Sequence, residues 1–166
     1  MIRVAVLGAG RIGKLHATNV ERNPRCKLVA VSDAIPEAAK ALAAAHGAEA
    51  ATDSIATATR KDIDAVIVGS PTNTHVDFTL AAARAGKAVM CEKPIDLDIK
   101  KADAAVAEIE KLGAKVMLGF NRRFDPSAEA MKNAILSGKI GDVHQVIITS
   151  RDPSPPPATY TGHGGI

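Results

Sequence analysis

The sequence predicts an α/β fold: a doubly wound sheet of parallel strands with helices on both faces. Three observations carry that expectation. Short β-branched runs alternate with Ala-rich segments of helical periodicity. The runs are continuously apolar, as strands covered on both faces require. The strand–helix–strand order repeats, which points to right-handed crossovers within one open sheet.

Taken in order, the first strand candidate is Arg3–Leu7, and it runs into Gly8-Ala9-Gly10-Arg11-Ile12-Gly13 and a helix. On that helix Ile12, His16 and Val20 share an apolar side, so His16 is expected to be a hydrogen-bonded packing residue. The second strand is Lys27–Val31, and Pro36 suits the first position of a helix that reaches His46 and stops at Gly47. A weak strand lies near Glu49–Ala51 and a clear one at Ala65–Val68. Ser70-Pro71-Thr72-Asn73-Thr74-His75 holds helix-capping residues, and Asn73–Ala85 places Val76, Leu80 and Ala83 on one face before Gly86. Ala88–Cys91 is the next strand and delivers Glu92-Lys93-Pro94. In Leu97–Leu112 the residues Ile99, Ala102, Val106 and Ile109 follow helical spacing, and Gly113 supplies a stop. Lys115–Leu118 completes this unit, giving a first domain over residues 1–120.

Residues 121–166 differ in character. A helix pattern runs to Ser137, Gly138 and Gly141 flank a turn, and Val143–Ser150 partly alternates like an antiparallel strand with one wet face. Arg151–Ala158 carries Pro153, Pro155, Pro156 and Pro157 and reads as an extended loop. One strand cannot form an independent sheet. This segment is therefore expected to be the truncated start of a second, α+β substrate domain.

With 166 residues, 46% of them hydrophobic and 2% aromatic, one ordinary domain can be built around a core of Ala, Val, Ile and Leu. A charged fraction of 23% argues against disorder, and the net charge of +3 is scattered, so no nucleic-acid partner is expected. There is no signal-peptide pattern and no apolar run of membrane-spanning length, so neither secretion nor a membrane partner is expected. Cys26 and Cys91 lie in strand-like runs without metal or redox spacing. They read as two buried thiols of a reducing cytoplasm, with no metal site.

Chemistry enters with the glycine turn. Gly8-x-Gly10-x-x-Gly13 follows a strand and opens a helix, and Asp33 stands 20 residues beyond Gly13. Gly8 permits the tight turn, Gly10 lets backbone approach a pyrophosphate, and Gly13 allows close helix–strand packing. The helix start offers free N–H groups to phosphates. Asp33 can accept from ribose hydroxyls, would repel a 2′-phosphate, and is followed by no arginine, so NAD is favoured over NADP. The fold expectation sharpens to a Rossmann-type sheet; FAD or S-adenosylmethionine are the alternatives to NAD. The Ser70–His75 loop and Glu92-Lys93-Pro94 leave neighbouring strands at the same edge, where the nicotinamide half would lie. In an extended segment Glu92 and Lys93 point opposite ways.

These stretches, with Pro71-Thr-Asn-Thr-His75, Glu92-Lys-Pro94 and Gly119-Phe-Asn-Arg-Arg-Phe-Asp125, resemble the Gfo/Idh/MocA family of NAD(P)-dependent sugar and polyol dehydrogenases. Ser150-Arg-Asp-Pro-Ser-Pro-Pro-Pro157 with Gly164-Gly-Ile166 resembles the branch whose members oxidise myo-inositol. The resemblance implies that Lys93 is the catalytic acid/base for a CH–OH oxidation. It also implies a cis bond before Pro94 and polyol contacts from Lys93, Arg123 and Asp152. The cofactor contacts it implies are Gly8, Gly10, Arg11, Ile12, Gly13, Asp33, Ser70, Thr72, Asn73, His75, Glu92 and Lys93. Family members form homo-oligomers, dimers or tetramers, and continue into an Asp- and His-bearing helix that completes the catalytic group. His163, in a glycine-rich tail, does not replace that histidine. Two other readings stay open: a non-catalytic NAD-binding module, and a dehydrogenase of another sugar or cyclic polyol.

Overall fold

The computed structural model describes residues 1–151. Six strands form one parallel sheet: β1 (Ile2–Leu7), β2 (Cys26–Ser32), β3 (Glu49–Ala51), β4 (Ala65–Val68), β5 (Ala88–Cys91) and β6 (Val116–Leu118). Their spatial order is β3-β2-β1-β4-β5-β6, so the chain winds outward from β1 to one edge and then returns to lay β4 on the other side of β1. All five pairings are parallel, which puts every strand's carboxyl end along one edge.

The helices are α1 (Arg11–Arg22), α2 (Pro36–Ala45), α3 (Ser54–Ala58), α4 (His75–Arg84), α5 (Ile99–Leu112) and α6 (Pro126–Leu136). Alternation along β1 sorts the core into two layers. Val4 and Val6 pack with Ala17 and Val20 of α1 and Leu42 of α2. Ala5 and Leu7 face the other way, toward Ala58 of α3 and Ala82 of α4. Pro36 opens α2 and Gly113, at φ 59°, closes α5, as their positions in the sequence suggest. Among the described residues no helix is long and apolar enough to cross a membrane.

Four expectations are corrected. Val143–Ser150 is not a strand: residues 143–151 are irregular and exposed, because among the described residues no second strand lies beside them to complete their hydrogen bonds. Ile99 and Val106 point to solvent, at 71% and 42% exposure. α5 begins after its Asp98 cap and buries a narrower stripe, Ala102 and Ala105, with Ile109 packed beside it. Cys26 starts β2 at the sheet's amino edge and is half-buried, whereas Cys91 is buried as expected. The predicted helix from Asn73 begins as a 3₁₀ turn over Thr72–Thr74 and becomes α-helical at His75. One element escaped the sequence reading: α3, five residues capped by Asp53 Oδ1, which accepts from Ala56 N at 2.9 Å.

Candidate cofactor cleft

The strand order reverses between β1 and β4, and there the connections leave in opposite directions and open a crevice. A cleft of about 1060 Å³ runs along this edge. Its floor is the turn from β1 into α1. Gly8 has φ 103°, and a Cβ there would stand 2.6 Å from the Gly69 carbonyl oxygen. At Gly13 a Cβ would lie 1.8 Å from the Gly8 carbonyl oxygen, so helix and turn touch through backbone alone. At Gly10 a Cβ would meet nothing within 4 Å, and Gly10 lines the cleft. No side chain caps α1 and no acid occupies its first turn. Its leading N–H groups are therefore left for a ligand, and the helix dipole favours an anion.

Asp33, just past β2, accepts from Ala9 N at 2.7 Å through Oδ2 and from Ile35 N at 2.8 Å through Oδ1. The carboxylate thus pins the glycine turn while lining one end of the cleft. That end also includes Ile35 and Thr52-Asp53-Ser54-Ile55, which sequence reading missed. The available signal was the weak strand Glu49–Ala51: once paired with β2, its carboxyl end must reach the same edge.

Three strand spacings away, about 14 Å, the loops after β4 and β5 build the other end. Ser70, Thr72, His75, Glu92 and Lys93 line it, with Phe78 as a further unpredicted wall residue. The Ser70 and Thr74 hydroxyls are 2.7 Å apart, and Thr74 Oγ1 donates to the Pro71 carbonyl at 2.7 Å. His75 is buried, and its ring nitrogens are committed to main-chain carbonyls: Nδ1 to Pro94 at 2.8 Å and Nε2 to Ser70 at 2.9 Å. Glu92 sits on the side facing α1, where Oε1 lies 2.8 Å from His16 Nε2. Lys93 is exposed toward the cleft, and the peptide bond before Pro94 is cis. His16 is thus hydrogen-bonded, as read from the sequence, to a residue of the cleft.

Of the residues singled out in the sequence, Gly8, Gly10, Arg11, Ile12, Asp33, Ser70, Thr72, His75, Glu92 and Lys93 line one cleft. Gly13 supports it from beneath, and Asn73 is exposed in the 3₁₀ turn without lining it. Arg123 is exposed in a second 3₁₀ turn, Asn121–Phe124, and does not line it either. Asp152, the proline loop and His163 lie outside the described residues. Cys91 is buried, and burial pushes its thiol up to about 11, which leaves it no nucleophilic role near neutrality.

Residues 2–120 match the family model described as an oxidoreductase family with an NAD-binding Rossmann fold. The chain belongs to the Gfo/Idh/MocA oxidoreductase family. Among relatives of this Gfo/Idh/MocA chain is the inositol 2-dehydrogenase of Rhizobium meliloti (strain 1021), 52% identical over 99% of the chain and 49% of the relative. The myo-inositol 2-dehydrogenase of Thermotoga maritima is 40% identical over 99% of the chain and 50% of its own length. A crystal structure of a putative myo-inositol dehydrogenase from Sinorhizobium meliloti 1021 superimposes with a TM-score of 0.92 at 51% identity, covering 99% of this chain and 50% of that one. The scyllo-inositol dehydrogenase from Lactobacillus casei, solved with NAD(H) and scyllo-inositol, gives 0.81 at 36% identity, covering 86% and 43%. The chain spans about half the length of the curated relatives it matches. The glycine cradle, the uncapped start of α1 and the Asp33 carboxylate fit the dinucleotide that this family binds, and the cofactor is NAD.

Proposed function

We propose that this chain serves an NAD-dependent dehydrogenase that oxidises a CH–OH group of myo-inositol or a similar cyclic polyol. In this reading residues 1–120 are the cofactor domain and residues 121–166 begin a substrate domain. Gly10, Arg11 and Ile12 hold the pyrophosphate at the start of α1, and Asp33 takes the adenosine ribose. The loops bearing Ser70, Thr72, His75 and Lys93 border the nicotinamide half. NAD, when bound, supplies the hydride acceptor. Lys93 then has one task, to take the proton of the substrate hydroxyl and later return it to water, so its amine must enter the cleft in neutral form. Arg123 and Asp152 are proposed polyol contacts; for Arg123 this requires the turn at Asn121–Phe124 to approach the cleft when substrate is present. The protein works in the cytoplasm, and its full-length form is a dimer or tetramer.

The observation that carries this reading is the exposed lysine at one end of the same cleft that has the glycine cradle in its floor and Asp33 at its other end. A module that only binds NAD needs no lysine there. The names of the relatives support an inositol as substrate.

Calorimetry on the chain is expected to show NAD binding, and NADP binding far more weakly. Turnover is tested on a chimera continuing the chain with the part of the Rhizobium meliloti relative that it does not match. The expected result is NADH formation from myo-inositol that Lys93→Ala abolishes while NAD binding persists. Intact NAD binding with no polyol-dependent NADH would leave the non-catalytic module as the better reading.

A further inference from the structure

Among the described residues the Lys93 amine has no hydrogen-bond or ion-pair partner. Whatever aims it must therefore act through the chain on either side. The parallel ladder ends one residue earlier, where Glu92 N donates to the Val68 carbonyl at 2.9 Å. Beyond that point no ladder bond holds the segment, and two histidines reach it from the helices. His16, on the helix that the glycine turn opens, reaches the Glu92 carboxylate at 2.8 Å. His75, at the start of α4 on the other face of the sheet, reaches the Pro94 carbonyl at 2.8 Å. Ile95 is then packed against Val76 and Leu80, and Asp96 pairs with Lys101 at 3.1 Å. Each neighbour of Lys93 is anchored, and Lys93 alone is left to the cleft.

The chemistry at His75 is specific. Its second nitrogen lies 2.9 Å from the Ser70 carbonyl, so both nitrogens face acceptors. A neutral imidazole has one N–H and one bare lone pair and can satisfy only one of them. The ring therefore lies between the loop after β4 and the loop after β5, donating to one carbonyl and packed against the other. Glu92 turns to His16 and Asp96 to Lys101, and neither is hydrogen-bonded to the ring.

We propose that His16 and His75 are positioning residues that brace Glu92-Lys93-Pro94 from the two faces of the sheet and aim the Lys93 amine into the cleft. The inference rests on Lys93 being the proton-transfer group of the proposed dehydrogenase. Its test needs no turnover.

The ¹⁵N spectrum of histidine-labelled chain is expected to show His16 hydrogen-bonded at Nε2 and the His75 ring N–H held in a hydrogen bond to a main-chain carbonyl. A His75 N–H without a hydrogen-bond acceptor, or an unbonded Nε2 in His16, overturns the brace. Reductive ¹³C-methylation then reports on Lys93, whose resonance is expected to stand apart from the other lysines and to shift on addition of NAD. In His16→Leu and in His75→Leu that resonance should fall among the bulk lysines and lose its NAD response, with the strand amides unchanged. His16→Gln, which keeps an N–H for Glu92, should restore it. A Lys93 signal unaffected in both folded leucine variants overturns the proposal. Should a leucine variant fail to fold, the ring spectra of the unsubstituted protein decide alone. Failure of the dehydrogenase reading shows elsewhere, as intact NAD binding without NADH formation by the chimera.

Discussion

Gly10 and Gly13 lie three residues apart and do opposite jobs. A methyl at Gly13 collides with the Gly8 carbonyl at 1.8 Å, so Gly13→Ala must push α1 off the turn. Overpacking of that kind costs about 3 kcal/mol, and a fall in thermal midpoint checks it. A methyl at Gly10 meets no protein atom, and its backbone is extended at φ −72°. Gly10→Ala should therefore change stability by less than about 1 kcal/mol. Its methyl stands where a phosphate must approach the helix start, and losing one charged hydrogen bond there weakens NAD about tenfold or more by calorimetry. Asp33 shows the same economy at one side chain, because it holds Ala9 and Ile35 and, in the proposed reading, also carries the charge that would repel a 2′-phosphate. Asp33→Asn should weaken NAD about tenfold and narrow the preference over NADP, read from paired titrations of both nucleotides.

Elements are joined by ion pairs at the sheet's amino edge and between helices. Arg3 of β1 holds Asp64, before β4, through Nη2 to Oδ1 at 2.7 Å and through Nε to Oδ2 at 3.0 Å. Arg60 holds both Glu49 of β3 and Asp62, and Arg84 of α4 holds Glu108 of α5. The hydrogen bond from the Arg3 guanidinium holds the Asp64 carboxyl well below the usual carboxylate range, and Arg3 is correspondingly raised. Asp62 and Glu108 are lowered in the same way by Arg60 and Arg84. A carboxyl lowered by folding adds stability that is complete above its unfolded pKa and is lost as pH falls toward its folded one. Urea midpoints should therefore hold down to about pH 5 and decline toward pH 2. Asp64→Asn should flatten part of that decline. Both partners of the Arg3–Asp64 pair are about two-fifths exposed, so added salt should flatten it as well.

At the scale of the molecule, all three core clusters draw their residues from positions up to Leu118. α6 has no buried residue and packs on the turn at Asn121–Phe124. Leu136, Ile147 and Ile148 expose 73%, 80% and 83% of their surface, a run of apolar groups without cover among the described residues. Residues 1–120 are expected to fold alone and bind NAD as the whole chain does. Their thermal midpoint should lie within a few degrees of the whole chain's, with less binding of an apolar dye. A loss of more than about 10 °C on removing residues 121–166 would instead mean that the segment stabilises the sheet.

The sequence by itself determined the winding of the sheet. Continuous apolar runs, helix stops at Gly47, Gly86 and Gly113, and the glycine turn before α1 are local signals that no distant contact has to supply. It determined the cofactor for the same reason, since cradle and carboxylate belong to one strand–helix–strand unit. The ends of α5 and the fate of Val143–Ser150 were less legible, because burial of one face and pairing of a strand depend on neighbours rather than spacing. Thr52–Ile55 and Phe78 became cleft walls only when parallel pairing brought their strands and helices to one edge. The partners of His16 and His75 were beyond reach for that reason too. They lie 76 residues away at Glu92 and 19 away at Pro94, and only the packing of α1 and α4 on opposite faces of the sheet brings both rings to the two sides of Lys93.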